Sequence, residues 1–246
     1  MRHIETSERV GGVDVHVCSF EAAVESLTGC RDAPAGSVRL VNAWCVVVAQ
    51  DDQDYRTVVN GPGLTLPDGA PVLWALKRTP TGRQAQRVRG PSLFEATLDR
   101  GRTDGLRHFF LGGPPQSLDT LVTKIGLRYP GVEIAGQWSP PFGDMAGAVL
   151  DEINERITSA APDIVWVGLG APKQDMVAAN IFERTGLTSV GVGAAFDFVA
   201  GTVREAPRWM QRLGLEWLFR FGTEPRRLWR RYLVGNLRFL WILARG

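Results

Sequence analysis

The chain has 246 residues, 44% of them hydrophobic and 22% charged, which is ordinary for one globular domain with a substantial core. The formal net charge of +2 is close to neutral and argues against a general nucleic-acid-binding protein. No uncharged apolar run reaches about 18 residues, so no transmembrane helix is predicted.

Short apolar segments alternate with helical segments along the whole chain. The predicted strands, with the turns that end them, are residues 39–42, 63–69, 107–113, 132–136, 163–170 and 188–193. The predicted helices are residues 46–55, 72–76, 92–98, 117–129, 146–159 and 174–185. This alternation predicts an α/β fold, a Rossmann-like and mainly parallel sheet with helices on both faces.

The ends of the predicted strands carry polar and small residues. In a parallel α/β sheet, ligands bind beyond the carboxyl ends of the strands. The segments after the strands are therefore predicted to share one rim. These segments follow Asn42, Asp68, Gly113, Gly136, Gly170 and Gly193.

Pro67-Asp68-Gly69 places a carboxylate at a strand end, just before a helix. Asp68 is therefore a candidate general base for removing a proton from an acceptor hydroxyl. Asp-Gly is also common turn chemistry, and the spacing alone favours a turn or helix-cap role.

Residues 168–174 form a glycine-containing turn between a strand and a helix. Gly170 lets the backbone approach a ligand, and helix N-terminal amides attract phosphate. Lys173 and Gln174 would add a charge and a hydrogen bond to a diphosphate-sugar. A plain strand-to-helix turn explains the segment about equally well.

Residues 191–198 form a second turn of small residues. Gly193 would allow close approach of a nucleotide, and Asp197 would bind a ribose hydroxyl. In isolation, the pattern favours tight packing of a helix on the sheet, with Asp197 capping a turn.

The histidines and cysteines lack the paired spacing of metal ligands. They are His3, His16, His108, Cys18, Cys30 and Cys45. We therefore predict structural histidines, no metal site and no structural disulfide. The odd cysteine number and the absence of a signal-peptide pattern predict a reduced, cytoplasmic location.

Residues 204–246 differ from the rest of the chain in charge. Ten Arg and three Glu give this segment a charge of +7, which leaves −5 for residues 1–203. Its Trp, Leu and Phe residues mix with Arg at roughly helical spacing, which favours an amphipathic helical appendage on an anionic membrane surface. We predict a catalytic domain over 1–203 and this appendage over 204–246. The alternative is an amphipathic helix that packs on the core with its arginines in solvent.

Nine segments, considered together, carry a family resemblance. They are residues 51–60, 66–69, 87–95, 110–113, 139–142, 168–175, 191–198, 206–220 and 224–227. Each is weak alone, but in this order and spacing they resemble the WecG/TagA/CpsF family, also called glycosyltransferase family 26. The resemblance covers residues 39–231.

The resemblance implies an inverting, metal-independent glycosyltransferase without a cofactor. Its donor would be a UDP-sugar carrying N-acetylmannosamine, its uronic acid or a hexose. Its acceptor would be a saccharide linked to undecaprenyl diphosphate, in cell-wall or surface-polysaccharide synthesis. The implied partners are thus the donor, the lipid-linked acceptor and the inner face of the plasma membrane, where the protein would be peripheral.

The resemblance also implies roles for single residues. Asp68 becomes the proposed base, and Gln174 matches a glutamine near the donor sugar. Three arginines, Arg220, Arg227 and Arg230, match those thought to close over the diphosphate, where guanidinium groups suit developing negative charge. The candidate donor-binding residues are Asn42, Gly112, Gly113, Gly170, Lys173, Gly193 and Asp197. Many members carry Thr-x-Asn where this chain has Asn42-Ala43-Trp44, which bears on the donor sugar rather than on the reaction class.

Two other functions stay open. Another nucleotide-dependent α/β enzyme, such as an oxidoreductase, would need a fuller Gly-x-Gly-x-x-Gly turn and a downstream ribose-binding acid. A peripheral membrane adaptor would use only the tail. An open sheet edge or the tail groove also leaves room for a homo-oligomer, and no nucleic-acid partner is predicted.

Overall fold

A six-stranded parallel sheet forms the centre of the computed structural model, which describes residues 4–245 apart from the side chain of Arg227. The strands are β1 (Ser7–Val10), β2 (Val13–His16), β3 (Ser37–Val41), β4 (Gly63–Pro67), β5 (Arg107–Leu111), β6 (Glu133–Trp138), β7 (Ile164–Val167) and β8 (Thr188–Gly191). The first two form an antiparallel hairpin, and the others are ordered β4-β3-β8-β7-β5-β6.

Thirteen α-helices connect and cover the strands in the described part of the chain. They are α1 (Phe20–Thr28), α2 (Ala43–Asp51), α3 (Gln53–Val59), α4 (Ala70–Leu76), α5 (Gly90–Gly101), α6 (Pro115–Arg128), α7 (Ala148–Ala160), α8 (Lys173–Thr185), α9 (Ala195–Ala200), α10 (Arg208–Arg212), α11 (Glu216–Thr223), α12 (Pro225–Trp229) and α13 (Gly235–Arg245). A π-helical turn, Arg230–Val234, joins the last two.

Helices cover both faces of the sheet, as the alternating pattern predicts. One core packs α1, α5, α6 and α9 against the sheet, and α7 and α8 cover part of the opposite face. A third cluster joins α2, α3, α4 and the hairpin. Because both faces are covered, a strand such as β7 is buried at every position. The prediction of a parallel α/β sheet is confirmed.

Aromatic packing positions the turn after β7. The ring of Phe94 lies 4.8 Å from that of Trp166 and 5.6 Å from that of Phe196. A Cβ atom added at Gly168 would lie 2.5 Å from a ring carbon of Phe196, so only glycine fits there. The glycine after β7 is therefore required by the packing of Phe196 against this turn.

Two parts of the fold differ from the pattern-based elements. The predicted helix over 46–55 is two helices, because Asp52 ends α2 and caps α3 by accepting a hydrogen bond from the Tyr55 amide at 2.9 Å. The hairpin and α1 were not predicted. Ser19 caps α1 by accepting from the Ala22 amide at 3.1 Å, a local signal that the sequence does contain.

The basic tail is helical and returns to the body of the protein. Phe239 of α13 is 1% exposed and belongs to the cluster that contains α2. Arg238 forms an ion pair with Asp51 at 2.7 Å. Gly235 lies so close to Trp44 that an added Cβ would be 3.0 Å from the indole. The last helix is thus packed on the body, while the boundary at 203/204 stays a prediction. Over residues 4–245, no helix has the length and apolarity needed to span a membrane.

Candidate functional site

A cavity of about 340 Å³ lies at the carboxyl edge of the sheet. Four adjacent strands, β4, β3, β8 and β7, end at it and place Asp68, Asn42, Gly193 and Gly170 in its wall. The tail covers the other side. Four of the six segments predicted to share one rim therefore line this cavity.

The other two predicted rim segments lie elsewhere. Gly113 follows β5, which is one strand further along the sheet, and neither it nor Gly112 lines the cavity. Gly136 was predicted to end a strand, but it lies inside β6, which continues to Trp138. The cavity therefore reaches only as far as β7 along the sheet, and the turn after β5 lies beyond it.

Asn42 and the Pro-Asp-Gly turn lie against each other at the cavity wall. The Asn42 Oδ1 atom accepts hydrogen bonds from the amides of Trp44 at 3.0 Å and Cys45 at 3.4 Å, so it caps α2. A Cβ atom added at Gly69 would lie 2.8 Å from the Asn42 Cβ. The glycine after Asp68 is thus needed for two strand ends to approach.

Asp68 has the environment of a carboxylate that can hold a proton. The side chain is half-buried, and its Oδ1 atom accepts a hydrogen bond from the Gly90 amide at 3.2 Å. Burial raises the pKa of Asp68 above its ordinary value, and the Arg87 guanidinium opposes this shift. A raised pKa makes the carboxylate a stronger base near neutral pH.

Two arginines beside Asp68 are paired with acidic residues of the tail. The Nε of Arg89 donates to Glu216 at 2.6 Å, and its terminal nitrogen pairs with Glu205. Arg87 donates to the main-chain carbonyl of Asp68 and to Glu216. Glu216 therefore binds both guanidinium groups at once, and these two cations are neutralised inside the protein.

Gln174 joins two of the cavity loops. It is 4% exposed, and its Oε1 atom accepts hydrogen bonds from the amides of Gly170 at 3.1 Å and Gly193 at 2.8 Å. The side chain lines the cavity while its carbonyl holds the loops after β7 and β8 together. Asp197 also lines the cavity.

Two arginines of the tail face the cavity without a carboxylate partner. Arg220 and Arg231 both line it, and neither forms an ion pair with any acidic group that the structure describes. The Arg220 guanidinium lies 5.7 Å from the centre of the Phe198 ring, and its Nε atom has no hydrogen-bond partner there. These two cations are available to an anionic ligand.

Three other candidate cations have different positions. Arg230 is exposed and stacks over the Trp229 ring at 5.5 Å, outside the cavity lining. Lys173 donates to the carbonyl of Gly143 at 2.6 Å and does not line the cavity. The side chain of Arg227 lies outside the described residues. The sequence predicts Arg230 at the site, but in the structure its neighbour Arg231 lines the cavity.

Several cavity residues were not identified from the sequence. Among them are Arg87, Arg89, Glu216, Trp217, Arg231 and Tyr232. Glu216 and Arg220 are four residues apart and therefore share one helical face. This spacing is a sequence signal that predicts both side chains on the same side of the tail. No local pattern indicates that the rings of Trp217 and Tyr232 meet at 6.0 Å.

The histidines and cysteines have structural contacts. His16 accepts a hydrogen bond from the Thr65 amide at 3.1 Å, and His108 accepts one from the Trp166 indole at 3.0 Å. The cysteines are free and buried, whereas His3 lies outside the described residues. No group of three or more His, Cys, Asp or Glu side chains in residues 4–245 is arranged to hold a metal ion.

Comparison with known proteins identifies a family and similar enzymes. A family model described as "Glycosyl transferase WecG/TagA/CpsF family" matches residues 8–246. The N-acetylglucosaminyldiphosphoundecaprenol N-acetyl-beta-D-mannosaminyltransferase of Bacillus subtilis is 33% identical over 201 residues, which are 80% of this chain and 74% of that enzyme. The enzyme of the same name from Bacillus spizizenii is 33% identical over 190 residues, 75% of this chain and 70% of that enzyme.

Proposed function

The chain belongs to the WecG/TagA/CpsF family of glycosyl transferases, and from this we propose that it transfers a sugar from a UDP-sugar to a saccharide linked to undecaprenyl diphosphate. The similar enzymes are named for N-acetylmannosamine as the donor sugar and an N-acetylglucosamine-bearing lipid diphosphate as the acceptor. N-acetylmannosamine is therefore the first donor to test, followed by its uronic acid and hexoses. Family membership favours this function over the oxidoreductase and adaptor alternatives.

One arrangement carries the proposal: a half-buried carboxylate shares one cavity with two guanidinium groups that have no carboxylate partner among the described residues. Asp68 takes the proton from the acceptor hydroxyl, whose oxygen then attacks the anomeric carbon of the donor sugar. The bond from that carbon to the diphosphate breaks, and UDP leaves with the bonding electrons. Attack from the face opposite UDP inverts the anomeric configuration.

The charge of the departing UDP needs stabilisation by the protein. Arg220 and Arg231 supply two cations that need not leave carboxylate partners when the diphosphate binds. Guanidinium groups bind diphosphate oxygens with geometric specificity and stay protonated at any relevant pH. We therefore propose that the transfer proceeds with these arginines and without a metal ion.

Trp44 bears on which sugar is accepted. Its indole lines the cavity and packs against Gly235 at the start of α13. Where many family members carry an asparagine, this chain thus presents an aromatic surface that cannot accept hydrogen bonds from a sugar. The donor panel must therefore extend beyond N-acetylmannosamine.

A lipid-linked acceptor requires the cavity to work next to a membrane, and we propose that the tail provides this contact. Several large apolar side chains of the tail are about half exposed or more. From residue 229 onward they are Trp229 (46%), Leu233 (49%), Leu237 (70%), Leu240 (61%) and Trp241 (54%). At helical spacing, with separations of three or four residues and the adjacent pair Leu240 and Trp241, they lie on one side of the tail, opposite Gly235 and Phe239. Arginines among them favour an anionic lipid surface.

The test is transfer by purified protein from a panel of UDP-sugars to a lipid-linked N-acetylglucosamine analogue, with and without a chelator, read as UDP release. Wild-type protein is expected to turn over with at least one donor in both conditions. Asp68→Asn is expected to lower kcat by about 10²- to 10⁴-fold while UDP affinity, measured by calorimetry, stays within about twofold. Failure of every donor together with absent UDP binding would refute the proposal.

A further inference from the structure

Glu216 occupies an unusual position for an acidic residue of the basic tail. Its two carboxylate oxygens accept from different arginines, one from Arg87 and one from Arg89. The three side chains are 21%, 10% and 14% exposed for Arg87, Arg89 and Glu216. Water therefore screens these contacts less than those of a surface ion pair.

Both of these arginines lie beside the carboxylate of Asp68. Arg87 already donates to the main-chain carbonyl of Asp68, and Arg89 directly precedes Gly90, whose amide binds the Asp68 side chain. Yet no described side chain donates a hydrogen bond to the Asp68 carboxylate. One donor of Arg87 and two donors of Arg89 point instead to acidic groups of the tail. The remaining Arg87 contacts are to main-chain carbonyls, and the remaining Arg89 contact is to Ser92.

A carboxylate bound directly by arginine is a weak base, because the cation stabilises its charged form. If Glu216 were uncharged, Asp68 would be the nearest acidic group left at the cavity wall for the two arginines. We infer that Glu216 is a positioning residue that holds Arg87 and Arg89 away from Asp68 and thereby keeps Asp68 basic enough to deprotonate the acceptor. The catalytic consequence of this inference rests on the proposed function, whereas the contacts of Glu216 with Arg87 and Arg89 do not depend on it.

The charged groups around Asp68 agree in sign with this role. Burial is the largest cause of the raised pKa of Asp68; Arg87 and Arg89 lower that pKa, whereas the Glu216 carboxylate raises it. The other charged or titratable groups of the same cavity are Asp197, Arg220, Arg231 and Tyr232. Loss of the Glu216 charge should therefore lower the pKa of Asp68, and loss of Arg87 should raise it.

The pH dependence of kcat/KM separates positioning from a merely structural role. In Glu216→Gln, the midpoint of the acidic limb is expected about one pH unit lower than in wild type, and the plateau about tenfold lower, because Asp68 is a weaker base. Arg87→Gln should move the midpoint upward. The double variant Arg87→Gln/Glu216→Gln should return it toward the wild-type value.

Glu205→Gln is the matched control, because Glu205 pairs with Arg89 alone and is 38% exposed. Its midpoint is expected to stay near that of wild type. A lower plateau in Glu216→Gln with an unmoved midpoint, or shifts of the same sign in Glu216→Gln and Arg87→Gln, would overturn the inference. If Glu216→Gln does not fold, an absent or downward shift in Arg87→Gln would still overturn the inference.

A second readout does not depend on turnover. Protein with ¹³C-labelled aspartate carboxyls gives a titration of Asp68, with Asp68→Asn identifying the resonance. The same opposite shifts are expected there. If wild type transfers no sugar but these shifts occur, the proposed function fails and the placement of Glu216 stands. If wild type transfers sugar normally but no shifts occur, the proposed function stands and the role of Glu216 is overturned.

Discussion

Asp175 directly follows Gln174 in the first turn of α8, yet the two side chains have opposite surroundings. Gln174 lines the cavity, whereas Asp175 is 0% exposed and accepts a hydrogen bond from the Tyr55 hydroxyl at 2.7 Å. Burial raises the pKa of Asp175 to about 6, against the opposing effects of Tyr55 and of the buried Arg39. Asp175 therefore joins α8 to α3 behind the site and makes no contact with the cavity.

The raised pKa of Asp175 predicts how stability depends on pH. Between the unfolded pKa of about 4 and the folded pKa of about 6, the native state holds a proton that the unfolded chain has lost. The stabilisation that the protonated Asp175 gives the native state is therefore fully present below about pH 4 and is lost as pH rises through 6. From pH 4 to pH 8, the free energy of unfolding of wild type should fall by up to about 3 kcal/mol relative to Asp175→Asn. Urea titrations of both proteins measure this difference, and a constant difference would contradict the assignment.

At the scale of elements, α13 is the helix whose packing decides where the tail lies. One side of it is buried through Phe239, and the other exposes Leu237. The helix also carries Arg238, which is paired with Asp51 at the end of α2. Since that ion pair is about half exposed, the buried ring contributes more to docking than the charges do.

Truncating a side chain on the buried side of α13 should lower the free energy of unfolding more than truncating one on its exposed side. Phe239→Ala should lower the free energy of unfolding by about 3 kcal/mol, because a fully buried ring is lost and a cavity remains. Leu237→Ala, at 70% exposure, should change it by less than about 0.5 kcal/mol. Denaturant unfolding followed by circular dichroism makes the comparison. Equal effects would mean that α13 does not pack on α2 as described.

At the scale of the whole molecule, the cavity lies between the sheet and the tail. The tail contributes an acidic residue that pairs with the arginines beside Asp68, two cavity arginines without a described carboxylate partner, and an apolar outer surface. The same short segment therefore contacts the body on one side and presents Trp and Leu on the other. This arrangement would place the cavity close to any lipid surface that the tail binds.

Membrane contact through the tail can be tested against a matched surface change. Leu237→Ser/Leu240→Ser should weaken binding to anionic phosphatidylglycerol vesicles by about tenfold or more, because two exposed leucines no longer enter the interface. Leu127→Ser removes an equally exposed leucine (77%) from α6 and should leave binding unchanged. Co-sedimentation measures both, and added salt should weaken wild-type binding. Equal loss in the two variants would argue against the tail as the contact.

The amino-acid sequence by itself determined the sheet, most of its covering helices and most of the strand-end residues of the site. Strand and helix periods are local, and turn residues mark strand ends, so Asn42, Asp68, Gly170 and Gly193 could be assigned to one edge before the strand order was known. The resemblance added the proposed role of Asp68 as a base, since one carboxylate in a turn has no distinctive pattern of its own.

Only the tertiary structure decided which tail residues enter the cavity and what surrounds Asp68. Arg87 and Glu216 are 129 positions apart, and no local pattern relates them. The π-helical turn Arg230–Val234 changes which side chains face inward, so that Arg231 lines the cavity while Arg230 lies over Trp229. The physical reason is the same in both cases: periodicity predicts that a helix has two sides, but the body against which it packs decides which side turns inward.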